Sequence, residues 1–179
     1  MSTTREHFLG KYRATVSDNQ DPDRRGRIRV IVPDVLQSIP STWAECCAPF
    51  SGMQGTAAGI FFVPPVGAAV WVEFEHGDPD RPVWTGGRWV SSSDVPPGAT
   101  SPAPIPPGQN IVIQTTLKNV LTISDSAPTQ TGGGIVLKSS TGATLIVNDS
   151  GIYIDNGKGA TITLVGPKVT INNGALAVI

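Results

Sequence analysis

The side chains best suited to chemistry gather in one short stretch. His76 follows Glu73 and Glu75 and precedes Asp78 and Asp80, a grouping that would serve a metal site or a general acid–base pair. Gly77 and Pro79 lie in the same stretch, and they supply the geometry of a tight, solvated hairpin turn, which is the reading we take. The only other histidine, His7, lies in the N-terminal segment. A serine nucleophile needs a histidine within reach, and no Gly-x-Ser-x-Gly elbow occurs. Cys46 and Cys47 are adjacent, a spacing that strains a disulfide and matches no metal-ligand pattern. They are expected as strand residues, one facing inward. The residues therefore argue against an enzyme, and no catalytic residue, metal or cofactor is expected.

Trp43, Trp71, Trp84 and Trp89 are the next candidates, because aromatic faces stack bases or sugars. Glu73 and Glu75 flank Trp71 and would repel a phosphate backbone, and the formal net charge is −1. No nucleic-acid partner is expected, and the tryptophans are assigned to a core or a subunit interface. The run Asp21–Arg25 reads as an exposed loop. The N-terminus shows no apolar signal-peptide core, and the most apolar stretch, 59–72, is broken by Pro64 and Pro65. Synthesis in the cytoplasm without a signal peptide is expected.

Positioning elements follow from composition. Of 179 residues only 15% are charged, while Gly (20) and Pro (16) are abundant, which favours short strands and tight turns over helices. All four Trp, both His, and every Arg and Glu precede Ser91. Residues 91–109, SSSDVPPGATSPAPIPPGQ, form a Pro/Ser-rich linker expected to be extended. From Asn110 onward the charged residues are Lys and Asp only. The expected organisation is a flexible segment 1–7, a barrel 8–90, a linker 91–109 and a second domain 110–179. In the first domain Tyr12, Ala14 and Val16, then Ile28, Val30 and Val32, then Val70, Val72 and Phe74 alternate with mostly polar positions. Trp43–Pro49, Ile60–Val63 and Val83–Trp89 are further candidate strands. About five strands suit a Greek-key barrel of the oligonucleotide/oligosaccharide-binding (OB) type, other small barrels staying open.

The last domain has a different rhythm. Aliphatic pairs two apart recur at Ile111/Ile113, Leu121/Ile123, Ile135/Leu137, Leu145/Val147, Ile152/Ile154, Ile162/Leu164, Val169/Ile171 and Leu176/Val178. Gly-Ala-Thr occurs at both 142–144 and 159–161, and Lys118, Lys138, Lys158 and Lys168 suggest one repeating outward position. Short strands with one apolar face leave that face wet and their edges open. Three chains wound about one axis would cover the faces, making an intertwined trimeric triple-stranded β-helix, or β-prism, about 35–40 Å long for eight strands at ~4.7 Å. The alternatives are a single-chain solenoid or an amyloid-like repeat. The fourteen residues from Ile111 to Ile171 named above are the expected trimer core.

Two stretches carry a resemblance. GKYRATVSDNQDPDRRGRIRVIVPDV and FFVPPVGAAVWVEFEHGDPDRPVWTGGRW resemble the barrel of the phage baseplate spike and VgrG-type family, from about Gly10 to Trp89. The aliphatic repeat behind them is consistent with the family's prism. The resemblance implies a homotrimeric central spike of a contractile injection system, beneath a separate hub protein and meeting the target membrane only transiently. The barrel's early start suggests a phage tail-like or extracellular particle over a type VI secretion device. The Asp21–Arg25 loop is then a candidate hub contact. Some members close the tip with a His-x-His pair holding iron. That pair is missing here, and the ending GALAVI is apolar. Leu176, Ala177, Val178 and Ile179 are therefore expected to form a platform for a separate tip protein of the PAAR-repeat type, or else to complete the last prism layer. The competing functions are a barrel binding nucleic acid or carbohydrate and a cell-wall-degrading enzyme.

Overall fold

The computed structural model describes residues 7–100 and 110–178. The expected flexible segment 1–7, apart from His7, and linker residues 101–109 lie outside the described residues, as does Ile179. The chain divides between Ser92 and Ser93 into two compact units.

The first unit contains β1 (Tyr12–Asp18), β2 (Arg29–Ile31), the single-turn α1 (Pro33–Leu36), β3 (Glu45–Cys46), β4 (Ala69–Phe74) and β5 (Pro82–Gly87). The sheet runs β2-β1-β4-β5-β3, with β3 parallel to β5. Its two ends meet: Ala44 N–H donates to the Ile28 carbonyl at 2.8 Å, and Ser41 N–H to the Val30 carbonyl at 2.9 Å. The ring order β1-β2-β3-β5-β4 is the five-stranded Greek-key barrel expected from the alternation. Period-two residues point inward. Val16, Ile28, Val30, Val32, Val70, Val72 and Trp84 are fully buried, with Ala14, Ala44 and Phe74 beside them. Branched aliphatics dominate because they fit a pleated surface and have stiff χ1 angles.

Three local expectations need correction. Of Trp43–Pro49 only Glu45–Cys46 is strand, with Ala44 as an isolated bridge. Ile60–Val63 forms no strand; it belongs to the long connection between β3 and β4. No sheet edge remains for it once β3 has closed the ring. The third candidate ends at Gly87 and begins at Pro82.

The second unit holds β6 (Asn110–Gln114), β7 (Val120–Thr129), β8 (Gly132–Lys138), β9 (Thr144–Asn148), β10 (Gly151–Asp155), β11 (Thr161–Val165), β12 (Lys168–Ile171) and β13 (Leu176–Val178). They form one antiparallel meander in chain order, roughly 33 Å across for seven strand-to-strand steps. Interior ladders close within the chain, and among the described residues only the outer edges of β6 and β13 have no strand beside them in it.

The turns explain the repeat. Thr115–Asn119, Ser139–Ala143 and Asn156–Ala160 share one geometry, the first N–H donating to the fifth carbonyl at 2.8–3.1 Å. In each the first side-chain oxygen also accepts the fifth N–H: Thr115 Oγ1, Ser139 Oγ and Asn156 Oδ1. The two Gly-Ala-Thr triplets leave the second and third of these turns and enter β9 and β11. The four lysines are exposed but occupy different places: Lys118 and Lys158 in turns, Lys138 ending β8 and Lys168 beginning β12.

The described part of the Pro-rich segment, 91–100, is not simply extended. Ser92–Asp94 and Pro97–Ala99 are 3-10 turns, and the Gly98 carbonyl accepts the Asn110 side-chain amide at 3.0 Å. Residues from Ser93 thus group with the C-terminal strands.

Candidate trimer interface

Alternation along a strand sends residues i and i+2 to the same sheet face. Antiparallel register then decides whether those pairs line up from strand to strand, and here they do without a slip. One column runs Ile111, Ile123, Ile135, Val147, Ile152, Leu164, Val169. Its companion runs Ile113, Leu121, Leu137, Leu145, Ile154, Ile162, Ile171. All fourteen residues expected at the trimer core fall in these columns, each directly opposite its neighbour.

Much of this face is open to solvent in the single chain. Ile111 and Ile113 are 62% and 63% exposed, and Ile123, Ile135, Leu137, Val147, Ile154, Ile162 and Leu164 are each 36–47% exposed. Ile113, Leu121, Leu137, Leu145 and Ile154 border an open depression of about 690 Å³. The opposite face carries Val112, Thr122, Val136, Ile146, Tyr153, Thr163 and Thr170 in the intervening register. Ile146 and Tyr153 are buried there, and Tyr153 Oη donates to the Ser150 carbonyl at 3.0 Å. The better-covered face is therefore the mixed one, while the uniformly aliphatic one meets water.

At the end of the sheet, Leu176 pairs with Ile171 and so continues the second column, and the backbone of Val178 pairs with Val169. Ala177 pairs with Thr170 on the intervening register. Among the described residues no strand lies on the outer edge of β13.

The sites considered for chemistry resolve otherwise. His76 has left-handed backbone (φ 54°) in the 3-10 turn Glu75–Gly77, its carbonyl bonded to His7 Nδ1 at 3.0 Å. Glu75 pairs with Arg81. Among the described residues no His, Cys, Asp and Glu cluster could hold a metal. Cys46 leans on the barrel core, which pushes its thiol pKa up, and Cys47 is exposed. Trp84 is the core tryptophan, its indole N–H donating to the Gly26 carbonyl at 3.0 Å. Trp43 lies under the guanidinium groups of Arg27 and Arg29, Trp71 under that of Arg88, and Trp89 is exposed.

Sequence reasoning missed two features. The first is Asp21, expected in an exposed loop, whose side chain is only 4% exposed. It accepts from Arg27 Nη2 at 2.6 Å and from the backbone N–H groups of Asp23, Arg25 and Arg27. The Arg27 guanidinium and these amides hold its carboxyl far below the usual carboxylate range. Asp-x-Asp followed by arginines was the available signal, but it does not say which carboxylate turns inward. The second is the uncharged connection between β3 and β4.

No described helix is long and apolar enough to cross a membrane. Residues 12–89 match the family model described as the type VI secretion system/phage-baseplate injector OB domain. Residues 110–177 match the phage baseplate V C-terminal trimerisation domain. A barrel followed by a meander with one bare aliphatic face thus defines a structural component of an injection baseplate. The chain belongs to the VgrG-type baseplate spike family. It is similar to the actin cross-linking toxin VgrG1 of Vibrio cholerae serotype O1, 34% identical over 76 residues. That stretch is 42% of this chain and 7% of the toxin, so the chain corresponds to a small part of that relative.

Proposed function

We propose that three copies of this chain form the central spike of a contractile injection baseplate and lead the inner tube through the target membrane. The observation that carries this reading is the pair of unbroken aliphatic columns on an exposed sheet face. Three such faces turned to a common axis remove the apolar stripes from water, and each sheet already has its interior main-chain bonds. The resulting rod is narrow and cross-linked by seven ladders per chain, so bending it means breaking many hydrogen bonds together. The membrane contact is mechanical and transient. The barrels serve as the base, held by a separate hub protein, and the Asp21–Arg25 loop is one surface available to it. At the other end the free β13 edges and residues 176–179 receive a separate PAAR-repeat-type tip protein.

The test is mass in solution. The parent protein is expected at three times its 18.7 kDa chain mass by native mass spectrometry at micromolar concentration. Ile154→Asp, which places three carboxylates round the axis, is expected as a folded monomer. A parent that is a stable monomer would end the reading. Deleting residues 176–179 should release a PAAR-type partner in a pulldown while leaving the trimer; an undiminished pulldown would remove the tip assignment alone.

A further inference from the structure

The connection between β3 and β4 is the least expected surface of the barrel. From Cys46 to Val72 the chain contains no Asp, Glu, Lys, Arg or His. Within that stretch Phe50, Met53, Ile60, Phe61, Phe62 and Val66 are all exposed, Met53 by 80% and Phe61 by 72%. The segment is nonetheless ordered. Gly52 N–H donates to the Ala58 carbonyl at 2.7 Å, Ile60 N–H to the Phe50 carbonyl at 3.1 Å, and Ser51 and Gly59 form a bridge. Its stem is fixed to the barrel by Phe62, edge-on to Trp84 at 5.7 Å, and by Phe61 against Gly26. A short hairpin is thus anchored on the barrel while half or more of each of Phe50, Met53, Ile60, Phe61 and Phe62 stays in solvent. Phe50, Ile60, Phe61 and Phe62 line a cleft shared with Arg24, Arg25 and Glu45, and large apolar side chains left exposed together on one short hairpin mark an interface.

Size argues for the occupant. A buried aromatic side chain covers ~150–250 Å², and half or more of each of these three phenylalanines is bare, so with Met53 and Ile60 the hairpin offers roughly 500–600 Å². A freely diffusing protein partner needs about 800 Å² on each side for a stable complex. A copy already attached through the C-terminal domain needs much less, because its effective concentration reaches the millimolar range. We infer that the 50–62 hairpin docks onto the barrel of a neighbouring copy, so that the spike has a second trimer contact at the level of its barrels. The inference rests on the trimer reading. A threefold arrangement makes this contact heterologous: each hairpin meets a different surface of the next barrel, and the ring closes after three.

The experiment uses the full chain with photo-crosslinking p-benzoyl-phenylalanine in place of Met53. Irradiation of the trimer is expected to give covalent dimers and trimers, with the cross-linked peptides between residues 7 and 92 of the second copy. Links confined to the hairpin's own chain, or an absence of covalent dimers in a preparation whose mass is that of a trimer, would overturn the inference while leaving the trimer intact. A parent of monomeric mass would overturn both. Hydrogen exchange gives an independent readout. Amides 50–62 should exchange about tenfold or more slowly in the parent than in the Ile154→Asp monomer, and equal rates would overturn the hairpin contact.

Discussion

Truncating Leu137 to alanine tests the packing argument quantitatively. Leu137 sits between Leu121 and Leu145 in the second column and is 44% exposed in the single chain. Fully burying a leucine side chain contributes about 1.5–3 kcal/mol, so the part still bare contributes about 1 kcal/mol per chain on assembly. Three chains make that about 3 kcal/mol per trimer, roughly a hundredfold in the association constant. Because three monomers meet, the concentration at half-dissociation moves as the square root, about tenfold. The assay is a dilution series by light scattering or mass photometry, in a urea concentration that half-dissociates the parent. Thr163→Ala is the control, since Thr163 occupies the intervening register beside Tyr153 and Thr170. Its midpoint should stay within about twofold of the parent's. A Leu137→Ala midpoint that does not move, or one matched by the Thr163 control, would refute the assignment of this face to the trimer axis.

Other residues give sharper local tests. All four tryptophans lie before Ser93, so tryptophan fluorescence reports the barrel unit alone. Asp21 has a depressed folded pKa, so its stabilisation is complete above the unfolded value of about 3.9 and drains away as pH falls toward the folded one. Asp21→Asn should therefore lower the barrel's unfolding midpoint at pH 7 and flatten its loss of stability below about pH 4; a parallel acid limb would contradict the pairing with Arg27. Trp84→Phe removes a buried donor and part of a buried ring, and a loss of about 1–3 kcal/mol is expected from urea titration. Gly134 has φ +71°, and an added Cβ would stand 2.4 Å from the Val147 carbonyl oxygen, so Gly134→Ala should cost about 1–3 kcal/mol in the C-terminal unit and leave the tryptophan signal unchanged.

Much of the barrel was legible because its period-two strands enclose a small core. Ala14 and Val16, Ile28, Val30 and Val32, and Val70, Val72 and Phe74 were readable as inward residues from alternation alone. Ile60–Val63 misled because four apolar residues in a row look like a strand. Whether such a run finds an edge is a property of the closed ring, and β3 had already taken that place beside β5. The DPDRR run misled in the opposite sense. Charged residues are ordinarily solvated, yet Asp21 turns inward because Arg27 and three backbone amides satisfy its oxygens together. No single residue in that loop announces the arrangement.

In the C-terminal unit the amino-acid order alone determined which aliphatics share a face, since the spacing of two fixes that before any fold is considered. The equivalence of the turns opened by Thr115, Ser139 and Asn156 emerged only from the structure, since three different residue types fill the first position. Only the tertiary structure decided that eight strands meet in chain order with no register slip between the paired rows, so that eight separate pairs become two continuous columns. It also decided that the main-chain bonds close within one chain. The physical reason is that a strand's periodicity is local, whereas register and sheet order depend on turn lengths and on the competition among all strands for the same edges. What the meander leaves open is an exposed aliphatic face.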